Sequence, residues 1–283
     1  MKVGIIGYGF VGKALADGFL DNVEILKIDP KLQTTILDLM DFNPDIIFIC
    51  VPTPMNKDGS QDISILESVL DDIKVHCPQS LVVLKSTVLP SYISFIHNKF
   101  KSLVINPEFL RENFALEDFI NSDLILFGGE MEDTQKISDF YLKYTKCKNT
   151  EHLFVDTLSA SLIKYTINSF LATKVLFFNE VKRIFDKSGT DESWTNFIEA
   201  ISSDKRIGAS HMQVPGPDGR EGFGGACFPK DTNALLRYSK EIGAEFNLLK
   251  QTISLNNQIR SEYNEPTNRE IEQNIGFKKI SEE

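Results

Sequence analysis

The sequence predicts an α/β protein in which a doubly wound parallel sheet is followed by a long connecting helix and a smaller all-helical domain. Three observations predict it. A short apolar strand, Lys2 to Ile6, runs directly into a glycine-punctuated turn and a helix-like segment; apolar strands then alternate with helix-like stretches as far as Val155; and from Asp156 a helical pattern continues to about Lys187, with only helices expected after it.

The first of these carries the most chemistry. Gly7-Tyr8-Gly9-Phe10-Val11-Gly12 fits G-x-G-x-x-G between the strand and a helix-like stretch from Lys13 to Leu20. Gly7 permits a tight turn, Gly9 lets backbone N–H groups reach a pyrophosphate, and Gly12 allows close packing of helix on strand. A second strand, Val23 to Ile28, ends at Asp29, whose carboxylate is placed to accept from the ribose hydroxyls of an adenosine and disfavours a 2′-phosphate. NAD is therefore the expected cofactor, on a Rossmann-type sheet.

Further strands are predicted at Asp45 to Val51, Leu81 to Ser86, Leu103 to Asn106, Asp123 to Phe127 and Leu153 to Val155. In such sheets ligands sit outside the carboxyl ends of the strands. The segments leaving those ends are Val51-Pro52-Thr53-Pro54 with Asp58-Gly59 and Asp62, then Lys85-Ser86-Thr87, then Asn106-Pro107-Glu108-Phe109-Leu110-Arg111-Glu112.

From Asp156, a plausible N-cap, the long helix runs until Ser188-Gly189 ends it. Its length exceeds that of an ordinary globular helix, so it connects two domains or packs on a second subunit. Lys164 and Asn168, four apart, share one face of it. Helices are expected from Asp191 to Ser202, Pro229 to Ile242 and Phe246 to Tyr263, with a Gly- and Pro-rich loop from Asp204 to Ala226 between the first two. That loop leads into Cys227-Phe228-Pro229-Lys230-Asp231. With Pro229 at the first helical position, the cysteine lies just ahead of a helix N-terminus, whose partial positive charge favours thiolate. The domains expected are residues 1–155, a dinucleotide-binding unit, and 156–265, a helical unit. Residues 266–283 form a polar, mobile tail.

Composition bounds the function. Of 283 residues, 42% are hydrophobic and 25% charged, ordinary for a soluble protein of two moderate domains. A formal charge of −10 argues against nucleic acid or an anionic membrane as partner. No apolar run reaches the roughly 18 residues of a membrane span. Cys50, Cys77, Cys147 and Cys227 have no Cys-x-x-Cys spacing and the four histidines no metal-ligand spacing, so a cytoplasmic protein with reduced thiols and no metal is expected.

These motifs, taken in order, resemble the nucleotide-sugar dehydrogenases, which oxidise an alcohol twice to a carboxylate. The resemblance rests on Gly7-x-Gly9-x-x-Gly12, Val51 to Pro54 with Asp58-Gly59, Lys85-Ser86-Thr87, Pro107 to Glu112, Lys164 with Asn168, Asp204-x-Arg206-Ile207-Gly208, and Gly222 to Thr232. It implies a nucleotide-sugar substrate, UDP-glucose first among them, two NAD⁺ used in succession, and a homodimer. It implies Cys227 as the nucleophile that traps the aldehyde, Lys164 and Asn168 as oxyanion donors, Asp231 as holder of a water, and Glu108 as base for thioester hydrolysis with Thr87 nearby. Gly7, Gly9, Phe10, Val11, Gly12, Asp29, Thr53, Thr87 and Glu112 would contact the cofactor. Glu108, Phe109, Leu110, Arg111, Lys164, Asn168, Phe223, Gly224, Gly225 and Lys230 would contact the substrate, and Arg206 would reach it from a partner subunit. The family's second dinucleotide-fold domain has no counterpart before Glu283, so a short form is expected. A single-step hydroxyacid dehydrogenase of the 6-phosphogluconate type, needing no cysteine, and an inactive binding protein are the rival readings.

Overall fold

The computed structural model describes residues 1–100 and 102–277. Among these residues, seven strands form one sheet: β1 (Lys2–Ile6), β2 (Glu24–Ile28), β3 (Ile46–Ile49), β4 (Leu81–Leu84), β5 (Leu103–Ile105), β6 (Ile125–Gly128) and β7 (His152–Val155). Their order is β2-β1-β3-β4-β5-β6-β7. Helices α1 (Phe10–Gly18), α2 (Asp38–Phe42), α3 (Ser64–His76), α4 (Pro90–Lys99), α5 (Ala115–Ile120) and α6 (Met131–Tyr144) alternate with the strands. Then follow α7 (Thr157–Lys187), α8 (Trp194–Ser202), α9 (Cys227–Glu241), α10 (Asn247–Arg260) and α11 (Asn268–Glu272). The chain divides into two compact units, Met1–Thr53 with Asp62–Lys164, and Pro54–Gln61 with Tyr165 onward. The division thus falls inside α7, not at the predicted 155/156 boundary, and the loop after β3 belongs with the helices.

In the first unit the inner strands β1, β3, β4, β5 and β6 are buried on both faces, which is why they read as continuous apolar runs, whereas the edge strands β2 and β7 are partly exposed. Ile47 and Ile49 of β3 join Val82, Leu84 and Ile105 against Leu39 of α2, Leu66 and Leu70 of α3 and Ile93 and Ile96 of α4. The alternate residues Ile46 and Phe48 face Leu15 of α1 and Phe140 and Tyr141 of α6, as the period of two requires. Because strand order reverses direction between β1 and β3, the crevice at a switch point opens beside the glycine turn.

The sheet is the predicted doubly wound parallel one, with a single reversed pairing. β6 runs antiparallel to β5, with Ile105 opposite Gly128, while every other pairing is parallel. A fully buried apolar run carries no signal of strand direction, so the sequence could not show the reversal. Two helix starts also move. α1 begins at Phe10, inside the glycine motif, and α9 begins at Cys227, which makes Pro229 its third residue. Proline is tolerated there because N–H groups of the first turn have no intrahelical acceptor.

The second unit is built on α7. Asp156 caps it as expected, accepting from the Ser159 backbone N–H at 2.9 Å and from its hydroxyl at 2.6 Å. Phe178 of α7 packs with Trp194 and Ile198 of α8 and with Met212 and Val214 of the long loop. Ala172 and Leu176 pack with Phe223 and Ile259. The predicted mobile tail is corrected over residues 268–272, which form α11 with a Thr267–Glu270 capping box and a fully buried Glu270. Residues 278–283 of that expected tail lie outside the described residues. No helix among the described residues is long and apolar enough to cross a membrane.

Close packing of α1 on α5 depends on Gly18, where an added Cβ would lie 2.3 Å from the buried ring of Phe119. Gly18→Val should destabilise the fold by about 1–3 kcal/mol through overpacking. Thermal unfolding checks this, and an unchanged Tm would show that the contact yields.

Candidate active site

The N-terminal glycines hold a backbone shape that few side chains would permit. Gly7 has φ of +89°, and a Cβ there would sit 2.7 Å from the carbonyl of Cys50. At Gly12 a Cβ would come within 2.2 Å of the Gly7 carbonyl oxygen, so helix and turn touch. Gly9 differs: an added Cβ would meet nothing within 4 Å. Its backbone faces open space at the start of α1, which has no carboxylate in its first turn. That end is a fit site for the phosphates of a dinucleotide. Asp29, half-buried at the end of β2, ties the turn in place by accepting from Tyr8 N at 2.7 Å and Lys31 N at 2.9 Å. Each of its oxygens keeps a lone pair for a hydroxyl.

Three further strand ends, those of β3, β4 and β5, are cross-linked by polar side chains. Thr53, after β3, donates from its hydroxyl to the Thr87 carbonyl after β4 at 2.8 Å. Lys85, 5% exposed, donates to Asn106 Oδ1 at 3.0 Å, and the Tyr141 hydroxyl donates to the same oxygen at 2.7 Å. Burial pushes the Lys85 ammonium down to about 8, partly opposed by Cys50 and Glu108. Burial likewise pushes the Cys50 thiol up to about 12, so it stays protonated at neutral pH.

Beyond β5, Glu108 is buried and both its oxygens are engaged. Lys164 of α7 donates to Oε1 at 3.0 Å and to the Glu108 carbonyl, while Leu110 N donates to Oε2 at 2.8 Å. The ammonium also lies 5.2 Å from the Phe109 ring centre. Arg111, by contrast, is on the surface in a bidentate pair with Asp118, and Glu112 is exposed where a short 3₁₀ turn begins.

In the second unit, Asn168 donates to Asp231 Oδ2 at 2.6 Å and Lys230 donates to Asp231 Oδ1 at 2.5 Å. Asp231 is 1% exposed. Half-buried Cys227 stands four residues before it on α9, so the two share a face of the helix. Gly225, with φ of +75°, leads into that helix, and Gly224 is pressed against Arg260 and Glu270. Phe223, expected at the substrate, has its ring in the core, 4% exposed among Ala172, Leu176 and Ile259. Arg206 is exposed and pairs with Asp204 at 2.6 Å. Beneath it Lys174 of α7 donates to the carbonyls of Ile207 and Gly208 at 3.0 and 2.8 Å.

Structure therefore gathers Glu108 with Lys164, Thr53 with Thr87, and Asn168 and Lys230 with Asp231, with Cys227 one helical turn before Asp231 on α9. It does not bring Arg111 or the Phe223 ring into any of these groups. Lys85, Lys174 and Glu270 were missed as individual residues. Lys85 lay inside a quoted motif, but nothing in sequence separates a buried lysine from the many exposed ones.

A dinucleotide-binding sheet with a glycine turn, followed by a helical unit bearing a cysteine at a helix start beside buried lysine and carboxylate groups, defines a two-domain protein of the nucleotide-dependent dehydrogenase class. The chain belongs to the UDP-glucose/GDP-mannose dehydrogenase family, matching its NAD binding domain over residues 26–145 and its central domain over residues 158–258. It is 37% identical over 224 residues to the UDP-glucose 6-dehydrogenase of Rickettsia bellii, covering 76% of this chain and 50% of that one. To the UDP-glucose 6-dehydrogenase of Rickettsia conorii it is 35% identical over 298 residues, covering 91% and 67%. Among solved structures it resembles a UDP-glucose dehydrogenase from the hyperthermophilic archaeon Pyrobaculum islandicum, with a TM-score of 0.75 and 28% identity over 91% of this chain and 68% of that one. The chain thus spans about half the length of the first relative.

Lys85 makes a measurable prediction. A lysine whose folded pKa, about 8, is below its unfolded value near 10.5 disfavours the fold while protonated. The unfolded chain holds the extra proton between those two values, so stability rises with pH across that window. Lys85→Met should remove that rise, which amounts to about 3 kcal/mol. Urea unfolding of both proteins from pH 7.5 to 10.5 tests it; parallel stability curves would refute it.

Proposed function

We propose that this chain carries the catalytic parts of an NAD-dependent enzyme that oxidises the C6 alcohol of a nucleotide sugar to the uronate, with UDP-glucose as the leading substrate. One observation carries the reading: Cys227 and Asp231 share a helix face, and Asp231 is buried against Asn168 and Lys230. A cysteine nucleophile needs such company, and a single-step alcohol dehydrogenase does not.

Bound NAD⁺ would supply the hydride acceptor for each oxidation. Gly7, Gly9 and Gly12 would hold its pyrophosphate and Asp29 its ribose, with Phe10, Val11, Thr53, Thr87 and Glu112 around it. In the first oxidation the C6 hydroxyl proton passes to a water held by Asp231. The Cys227 thiolate then bonds to the aldehyde carbon, and the oxyanion that forms takes donation from Lys164 and Asn168 before it is protonated. Preorganised donors of this kind contribute about 3–4 kcal/mol each. The second oxidation turns this thiohemiacetal into a thioester. Glu108 takes a proton from water as the water oxygen bonds to C6, and the C6–sulfur bond breaks to return thiolate and leave the carboxylic acid, which loses its remaining proton to solvent as the carboxylate. Phe109, Leu110, Gly224 and Gly225 would line the sugar through backbone and ring contacts.

Removing the nucleophile should leave at most the first oxidation. Cys227→Ala is expected to yield no uronate from UDP-glucose and NAD⁺, where the parent yields two NADH per sugar, read by absorbance and mass spectrometry. Two NADH per sugar at the parent rate in the variant would sink the mechanism.

The partner we infer is a second copy of the chain. On α7, Phe170, Phe177 and Ile184 are 64%, 61% and 69% exposed at seven-residue spacing, an apolar stripe of the kind that helix pairs bury. Arg206, with its side chain 88% exposed, is free of its own unit's core and suited to reach a diphosphate bound by the other copy. Light scattering should give a dimer for the parent and a monomer for Phe170→Asp/Phe177→Asp. A monomeric parent at assay concentration would exclude this assembly.

A further inference from the structure

The backbone leading to Cys227 is held almost entirely by side chains from other elements. Gly222 N donates to Asn179 Oδ1 at 3.0 Å, and Phe223 N donates to Asn256 Oδ1 at 2.7 Å while its carbonyl accepts from Asn256 Nδ2 at 3.0 Å. Two residues further, and two before Cys227, Gly225 N donates to Glu270 Oε1 at 3.2 Å.

Glu270 is fully buried, and its carboxylate does three things at once. Oε1 also accepts from Arg260 Nη2 at 2.8 Å, and Oε2 accepts from Thr267 N at 2.7 Å to close the cap of α11. Arg260, 2% exposed, is fixed in turn by Asp218 of the same loop at 2.7 Å. A Cβ on Gly224 would lie 2.1 Å from Arg260 Nη2 and 2.5 Å from Glu270 Oε1, so the loop passes directly over the ion pair. Burying two charges here is tolerable because each is matched, and the pair is spent on a loop rather than on a helix core.

We propose that Glu270, held by Arg260, is a positioning residue that sets Cys227 at the first turn of α9 through the backbone N–H of Gly225. This rests on Cys227 being the nucleophile. A displacement of about 1 Å in a reacting group can lower a rate by about 10²-fold, so the loss of this contact should be seen in turnover rather than in cofactor binding.

The variants separate reach from charge. Glu270→Asp keeps the charge but withdraws the oxygen from Gly225; Glu270→Gln keeps an oxygen within reach; Glu270→Ala removes both, and Glu270→Asp serves if the alanine variant does not fold. Assayed below their own melting transitions with UDP-glucose and NAD⁺, Glu270→Asp and Glu270→Ala should lose about tenfold or more in kcat with KM for NAD⁺ nearly unchanged. Glu270→Gln should recover most of that loss. Alkylation of Cys227 by iodoacetamide, followed peptide by peptide, should shift in the same order, and it reads the thiol whether or not the chain oxidises sugars. If Glu270→Asp leaves both kcat and the Cys227 alkylation rate at parent values, or if Glu270→Gln is as impaired as Glu270→Asp, the proposal is overturned. An alkylation shift with unchanged kcat would support the contact and fault the assignment of Cys227 as nucleophile.

Discussion

Buried pairs of a cation with a carboxylate hold much of the candidate site in place. An unpaired buried charge costs several kcal/mol, whereas a pair with its remaining hydrogen bonds filled comes close to even. Lys164 is buried against Glu108, Lys230 against Asp231, and Arg260 against Glu270. Surface pairs such as Arg111 with Asp118 contribute little. Buried ones fix geometry, because either partner displaced alone leaves the other uncompensated.

Helix α7 carries a member of two of these clusters. Lys164 is fixed by Glu108 in the first unit, and Asn168 by Asp231 in the second. Helical rise separates the two by about 6 Å along the axis, with both on one face. The long helix is therefore more than a connector. Each of the two side chains is anchored within its own unit, Lys164 to Glu108 and Asn168 to Asp231.

Much of this was legible in the sequence, because the signals were local. The glycine turn, Asp29 at the end of β2, the Asp156 cap and the Lys164 and Asn168 spacing are all written within a few residues of one another. What could not be read depends on distant partners. A carboxylate in a polar C-terminal stretch looks like a solvated residue until Arg260 and Gly225 are seen around Glu270. Lys85 is one lysine among many until Asn106 is found at 3.0 Å. That the Phe223 ring packs beside Leu176 and Ile259 could not be read either, since the demand is set by the packing of α7 and α10. The direction of β6 is the same kind of failure, since apolar runs look alike in either orientation.

The source of any activation at Cys227 also changes once the pairs are seen. In the sequence, Lys230 stands three residues on and suggests a positive charge beside the thiol. In the fold its ammonium lies 2.5 Å from Asp231 Oδ1, so the two present a short dipole in place of a net charge, and a dipole's influence falls off faster with distance. The start of α9 is a second influence. Cys227 is its first residue, no carboxylate lies in its first turn, and the N–H groups of that turn have no intrahelical acceptor. A field of this origin acts only within about one turn and only along the helix axis, so it depends on how the chain enters α9. The conformation at Gly224 and Gly225 sets how the chain enters α9, and the buried carboxylate of Glu270 accepts from Gly225 N at 3.2 Å there.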